Sequence, residues 1–337
     1  MKIDVFNHIL PMPYFELMTK LAPEHKDMGK RVSEIPYLVD LDLRFKVMDR
    51  FGDYRQILSM ASPPPEVVAG PDDSPALCRC GNDAMAELCQ RHPDRFPGFV
   101  ASLPMNNPDA AMQEAERVLR ELGARGVQVF SNVNGRPLDA PEFLPLYDIM
   151  AGHDLPIWLH PARAANFPDY LAEDKSKYEI WWTFGWPYET SVAMARIVFA
   201  GLFDRHPGLK VITHHYGGMA PFFEGRVGPG WDQLGSRTSD EDYGALLRSL
   251  KKRPIDYFRM FIADTAVFGS DAATRCGLDF FGVDNTVFAS DAPFDPEKGP
   301  GYIRETIRVV DALEITDDER DRIYRRNAER LLKLAPG

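Results

Sequence analysis

Cysteine is scarce in this chain. Four occur in 337 residues, Cys78, Cys80, Cys89 and Cys276, and the first three fall in "CRCGNDAMAELC" without the paired C-x-x-C knuckles of a structural zinc site. A disulfide framework is thereby excluded, and the thiols read as reduced and mostly on one helix. No apolar run reaches the ~18 residues that a membrane span needs. The start of the chain lacks a basic n-region, an apolar h-region and a small-residue cleavage site, so a cytoplasmic protein is expected. Positive charge is also in short supply: 39 basic against 50 acidic residues give a net charge of −11. The basic clusters "LKKRP" at 250–254 and "YRRNAER" near the C-terminus read as solvated faces, so neither nucleic acid nor an anionic membrane is an expected partner. No G-x-G-x-x-G, low-complexity tract or clear linker occurs, which leaves a single domain over residues 1–337.

What is present is a repeated alternation. Apolar runs rich in Val, Ile and Phe recur at 2–6, 56–60, 98–102, 126–130, 157–160, 210–215, 259–264 and 285–290. Between them lie helical patterns such as 109–123, which has a glycine stop, and 191–208. Strands that are continuous apolar runs, each followed by a helix, imply a parallel sheet covered on both faces. Eight such units predict an α/β fold of the (β/α)8 TIM-barrel type. The segments 11–40, 62–75 and 162–190 are then long loops at the C-terminal mouth, where binding residues normally sit.

The histidines are not scattered evenly. His8 ends the first strand, His160 the fifth, and His214 and His215 the sixth, while Asp291 ends the eighth in "FASDAPF". In a barrel these ends converge on one mouth. Imidazole nitrogen with carboxylate oxygen suits zinc, iron or manganese, and two histidines with one carboxylate leave positions open for water and substrate. His214 and His215 are adjacent, so strand alternation allows only one of them into the cavity. His25, His92, His153 and His206 fall in helices or loops away from the mouth, and "RHPDR" and "RHPGLK" read as histidines at helix C-termini.

The stretches "MKIDVFNHILP", "RHPDRFPGFVASLP", "GARGVQVFSNVNGRPLD", "DLPIWLHP", "VFAGLFDRHPGLKVITHHYGGMAPFFEGR", "FASDAPF" and "NAERLL" together resemble one family nearly end to end. It is the aminocarboxymuconate semialdehyde decarboxylase branch of the amidohydrolase superfamily, with the γ-resorcylate, dihydroxybenzoate and carboxyvanillate decarboxylases. The resemblance implies an amidohydrolase-type (β/α)8 barrel holding a divalent metal through a first-strand [His/Glu]-x-His motif, a fifth-strand histidine and an eighth-strand aspartate. On this chain those ligands fall on His8, His160 and Asp291. The sixth-strand proton-transfer histidine falls on His215, and His214 stands where a small residue is usual. The departure is Phe6, an aromatic ring where the family has a ligand. Alternation aims residues 6 and 8 inward and 7 outward; only a bulge would redirect Asn7, and the sequence shows none.

Three protein ligands plus water suffice for a catalytic metal, with zinc expected first and manganese or iron as alternatives. A metal-free site is the competing expectation, because Phe6 has replaced a ligand. The expected activity is non-oxidative decarboxylation of a small aromatic or dienoic carboxylic acid, with His215 as general acid and Asp291 able to move protons. Phe6, Arg44, Trp182 and Trp186 are the expected substrate-binding residues, with Arg31 a second candidate for the substrate carboxylate. The cluster "YEIWWTFGWPYE" at 178–189 walls an aromatic substrate or packs on a second subunit, since relatives are commonly dimers. The alternatives are a lactone hydrolase or hydratase, an iron-dependent monooxygenase and a non-catalytic partner subunit.

Overall fold

The first strand, β1 (Lys2–Ile9), is buried at every position after Lys2, as a strand covered on both faces must be. A computed structural model describes residues 1–24 and 26–335; His25 lies outside them. β1 pairs in parallel with β2 (Tyr54–Met60), and β2 with the first piece of β3 (Gly98–Phe99). The second piece of β3 (Ala101–Ser102) continues the parallel order through β4 (Val127–Phe130), β5 (Ile157–His160), β6 (Val211–Thr213), β7 (Ile262–Asp264) and β8 (Thr286–Val287). Backbone hydrogen bonds past the end of β8 join it to β1: Val5 N to Phe288 O at 3.0 Å, Asp291 N to Phe6 O at 3.0 Å and His8 N to Ala292 O at 2.8 Å. The ring of eight strand positions therefore closes, as the alternation predicts.

Side chains rather than space fill the ring. Trp158 is fully buried and donates its indole N–H to Val5 O at 2.9 Å. Gly126 is required beside it, because a Cβ there would lie 2.6 Å from the Trp158 ring and 2.2 Å from Pro156 O. Helices cover the outside. α1 (Met12–Leu21) and a short α2 (Met28–Ser33) lie within the expected loop 11–40, and α3 (Leu41–Met48) follows it. The expected loop 62–75 holds the short helix Pro65–Val68 and ends in α4 (Ser74–Arg91), which carries three of the four free cysteines. The mouth loops are thus partly helical, and Pro11, Pro64 and Asp73 stand at the N-terminal ends of these helices. α5 (Pro108–Arg120) matches its pattern, starting at Asn107, whose side chain caps Ala110 N at 3.2 Å. The expected helix 191–208 is α6 (Gly185–Phe199) plus a separate turn at Leu202–Arg205, broken at Gly201 in the left-handed region.

Asp4 clamps the seam between the first and last strands. Its fully buried carboxylate accepts from Ser290 Oγ and Tyr54 Oη, each at 2.5 Å, and from Ser290 N and Phe6 N, each at 3.2 Å. Burial nonetheless prevails over these hydrogen bonds and raises its pKa to about 6. A carboxyl whose folded pKa is raised contributes stability that is fully present below its unfolded value, near 3.8, and is lost as pH rises through about 6. Relative to Asp4→Asn, the wild type should therefore lose roughly 2–3 kcal/mol of unfolding free energy over that window. Urea titrations at several pH values read this directly, and parallel curves for the two proteins would contradict it.

Candidate active site

β1 does not pair evenly with β2. Asp4 faces Gln56 while Asn7 faces Leu58, so β1 carries one extra residue at Val5–Phe6. Sequence alone gave no sign of this bulge. It does not bring Asn7 into the barrel: the Asn7 amide spans the irregularity, donating to Asp4 O at 3.1 Å and Ile57 O at 3.0 Å. Phe6 and His8 both face inward, as expected.

His8, His160 and Asp291 come together with both sixth-strand histidines. Asp291 Oδ1 lies 3.0 Å from His8 Nε2 and 3.4 Å from His214 Nε2, and Oδ2 lies 3.5 Å from His215 Nε2. The expectation that only one of the histidine pair enters is corrected here. β6 ends at Thr213, and His215 takes a left-handed φ of 54°, so strand alternation no longer governs it. The two imidazoles stack with centroids 3.7 Å apart. The following glycines allow this turn to close: a Cβ on Gly218, at φ 62°, would fall 2.4 Å from Pro187 O at the start of α6. Asp291 also sits at positive φ, 59°, a local backbone strain of the kind that gathers at functional sites.

Three of the rings share one orientation. His8 Nδ1 meets Met60 O at 3.3 Å, His160 Nδ1 meets Pro161 O at 2.7 Å, and His214 Nδ1 meets Asp264 Oδ2 at 2.5 Å. Carbonyl and carboxylate oxygens only accept, so each Nδ1 is assigned the proton. Nε2 of His8 faces Asp291 Oδ1 at 3.0 Å and Nε2 of His214 faces it at 3.4 Å, so each offers a lone pair only where a cation takes the place of a proton beside that carboxylate. The three imidazoles have ligand atoms within 4.8 Å of one another. Outward N–H donation that turns imidazole lone pairs toward a carboxylate is the arrangement of metal-binding histidines, and the donor set suits a divalent cation of intermediate softness.

Charge is divided at this point: Asp291 and His214 are driven toward their ionised forms, and His160 and His215 toward neutrality. Burial alone would raise Asp291, yet His214, His215 and His8 hold it well below the ordinary carboxylate range. Burial would depress His214, but Asp264 against Nδ1, helped by Asp291, overrides it and lifts the ring to about 9. Burial, then His214 and His8, push His160 far down. Burial and His214 also lower His215.

Above these groups opens a cavity of about 620 Å³. Trp181, Trp182, Trp186, Phe268, Phe294 and Tyr302 supply its aromatic wall, His160, His215 and Asp291 its histidine-rich side, and Lys30 and Arg31 line it with Asp27 and Glu179. Trp182 and Trp186 thus stand where the sequence placed them. Phe6 does not line the cavity: it is fully buried and stacks on His214 at 3.9 Å, beneath the imidazoles. Sequence reasoning missed His214 and Asp264 as site residues. Asp264 ends β7 as Asp291 follows β8, and that strand-end position was the available signal.

An amidohydrolase family model matches residues 14–334. The chain is 32% identical over 309 residues to the γ-resorcylate decarboxylase of Rhodococcus jostii strain RHA1, covering 88% of this chain and 89% of that protein. It is 30% identical to the 2-amino-3-carboxymuconate-6-semialdehyde decarboxylase of Dictyostelium discoideum, covering 100% of this chain and 92% of the relative. Among solved structures, the dihydroxybenzoic acid decarboxylase of Polaromonas sp. JS666, with bound manganese and the inhibitor 2-nitroresorcinol, superposes with a TM-score of 0.80. It is 26% identical and covers 100% of this chain and 98% of that one.

Arg44, expected to bind substrate, is the clearest correction. It is fully buried behind β1, where its guanidinium donates to His8 O, to Gln56 Oε1 at 2.7 Å and more distantly to Asn7 Oδ1 and Tyr37 O, both at 3.4 Å. It stacks 4.4 Å from the Tyr37 ring. A short helix at the loop end carries it inward, something a local sequence pattern does not reveal. Arg31, on α2, is the arginine that reaches the cavity. Arg44→Met should lower unfolding free energy by roughly 2–4 kcal/mol, because buried acceptors lose a charged donor. Unchanged urea stability with a raised KM would instead return Arg44 to the substrate.

Proposed function

The chain belongs to the amidohydrolase family, and from that premise we propose that it is a metal-dependent carboxy-lyase acting on a small aromatic acid with an ortho hydroxyl group. The observation that carries this reading is the position of His215, on the wall of an aromatic-lined cavity with its Nε2 3.5 Å from Asp291. His8, His160 and Asp291 would hold a divalent cation, zinc or manganese, and such a cation would supply positive charge next to the substrate's carboxylate.

The rest of the chemistry belongs to side chains. The aromatic wall packs on the substrate ring, and Arg31, which lines the cavity, is the residue placed to pair with its carboxylate. His215 delivers a proton to the ring carbon bearing the carboxylate. Protonation makes the ring the electron sink; the carbon–carboxylate bond then breaks, its electron pair restores aromaticity, and CO2 leaves. Burial and His214 disfavour the His215 imidazolium, so once formed it is a strong donor. Its Nδ1 has no protein partner, and the ring remains only 10% exposed.

The loop after β5 also displays Tyr170, Leu171, Tyr178 and Phe184, all exposed, and we take it as a face that packs on a second copy. Sedimentation at monomer mass at micromolar concentration would remove that proposal. Among the described residues no helix is long and apolar enough to cross a membrane.

Turnover in D2O tests the central step. With Mn2+ and 2,6-dihydroxybenzoate or a related ortho-hydroxy acid, the product should carry one deuterium where the carboxylate stood, with stoichiometric CO2. His215→Asn should reduce kcat by ~10²–10⁴-fold while leaving metal content intact. Acid consumed without CO2 would point to hydrolysis, and consumption of O2 to oxygenation; either overturns the reading.

A further inference from the structure

Two positions in this site depart from the family pattern, and they touch. Position 6 carries phenylalanine where the family resemblance implies a ligand, and position 214 carries histidine where it implies a small residue. Their rings lie face to face, centroids 3.9 Å apart with 16° between planes. Each explains the other's shape: Phe6 fills the space that a first-strand ligand would occupy, and the imidazole that rests on it comes from β6 instead.

His214 is built to present one nitrogen inward. Phe6 lies on one face of the ring and His215, at 3.7 Å, contacts it on another side. Asp264 holds Nδ1 at 2.5 Å, and Asp264 Oδ1 is itself fixed by the backbone N–H groups of His215 at 3.0 Å and Ala266 at 3.1 Å. Nε2 is buried, and among the described residues its polar neighbour is Asp291 Oδ1, at 3.4 Å, too poorly aligned for a full hydrogen bond. A rigidly aimed nitrogen that faces Asp291 and lies in one group with His8 and His160 is a ligand position with its outer partner already in place.

Resting on the metal-dependent reading above, we propose that His214 is the third imidazole ligand of the cation, replacing the first-strand ligand lost to Phe6. The set becomes His8, His160, His214 and Asp291. The ligand has moved from the first strand to the sixth, and the donor composition changes from the family's pattern while the number of protein ligands is kept. His215 is left free of the metal and available to the substrate.

Manganese binding without turnover provides the test. Wild-type protein, freed of metal and titrated with Mn2+ while free ion is followed by electron paramagnetic resonance, should bind one equivalent. His214→Ala should bind more than ~100-fold more weakly, beyond the ~10–100-fold expected for Asp264→Asn as an outer partner. The double variant Phe6→His with His214→Ala should recover most of the affinity by restoring the first-strand ligand. Circular dichroism and thermal midpoints establish folding. Should His214→Ala not fold, pulsed resonance on the Cu2+-loaded wild type counts the remote imidazole nitrogens: three support the proposal and two overturn it. Wild-type affinity in a folded His214→Ala overturns it while leaving the metal-dependent reading in place. A wild type that binds none of Mn2+, Zn2+ or Fe2+ defeats that reading and this inference with it.

Discussion

Asp291 is a buried carboxylate kept ionised among three imidazoles, and the site depends on that balance. A lone buried carboxylate would take up a proton; here His8, His214 and His215 each approach it within 3.5 Å. The partners arrive from the first and sixth strands, and the carboxylate follows the eighth. Asp291 can therefore be satisfied only if the barrel closes, and closure places its backbone N–H on Phe6 O. Fold and site are coupled through the same few residues. Asp4, one turn of the seam below, ties the same two strands with a second buried carboxylate.

Around that point the molecule separates two kinds of charge. Behind β1, Arg44 is held by carbonyl and amide oxygens and stays out of the reaction space. In front, Arg31 and Lys30 line the cavity together with Asp27 and Glu179. Aromatic rings on the segments after β5, β7 and β8 wall the cavity. The barrel supplies rigid strand ends and the loops supply shape, a division that lets related barrels keep one chemistry and change the acid they accept.

Much of this was legible in the sequence, for reasons that can be named. Continuous Val, Ile and Phe runs report strands buried on both faces, so the eight strand positions could be read from composition alone. A polar residue at the end of such a run has few structural reasons to be there, which made His8, His160 and Asp291 visible. What escaped were features set by a single local departure. The bulge at Val5–Phe6 leaves no compositional trace, and the left-handed turn at His215 cancels the alternation that would have kept one histidine outside. Arg44 was misplaced because short helices inside 11–40 and just beyond it carry it inward, and tertiary burial, not periodicity, decides where a long side chain ends.

The most direct measurement is a crystallographic anomalous difference map recorded at the manganese edge from crystals grown with Mn2+. A single strong peak enclosed by His8, His160, His214 and Asp291, with His215 and the aromatic wall facing it across the cavity, is the expected result. No peak at that point, or an ion seated elsewhere while Asp291 keeps its contacts with His8 and His214, would contradict the metal-centred reading of the site.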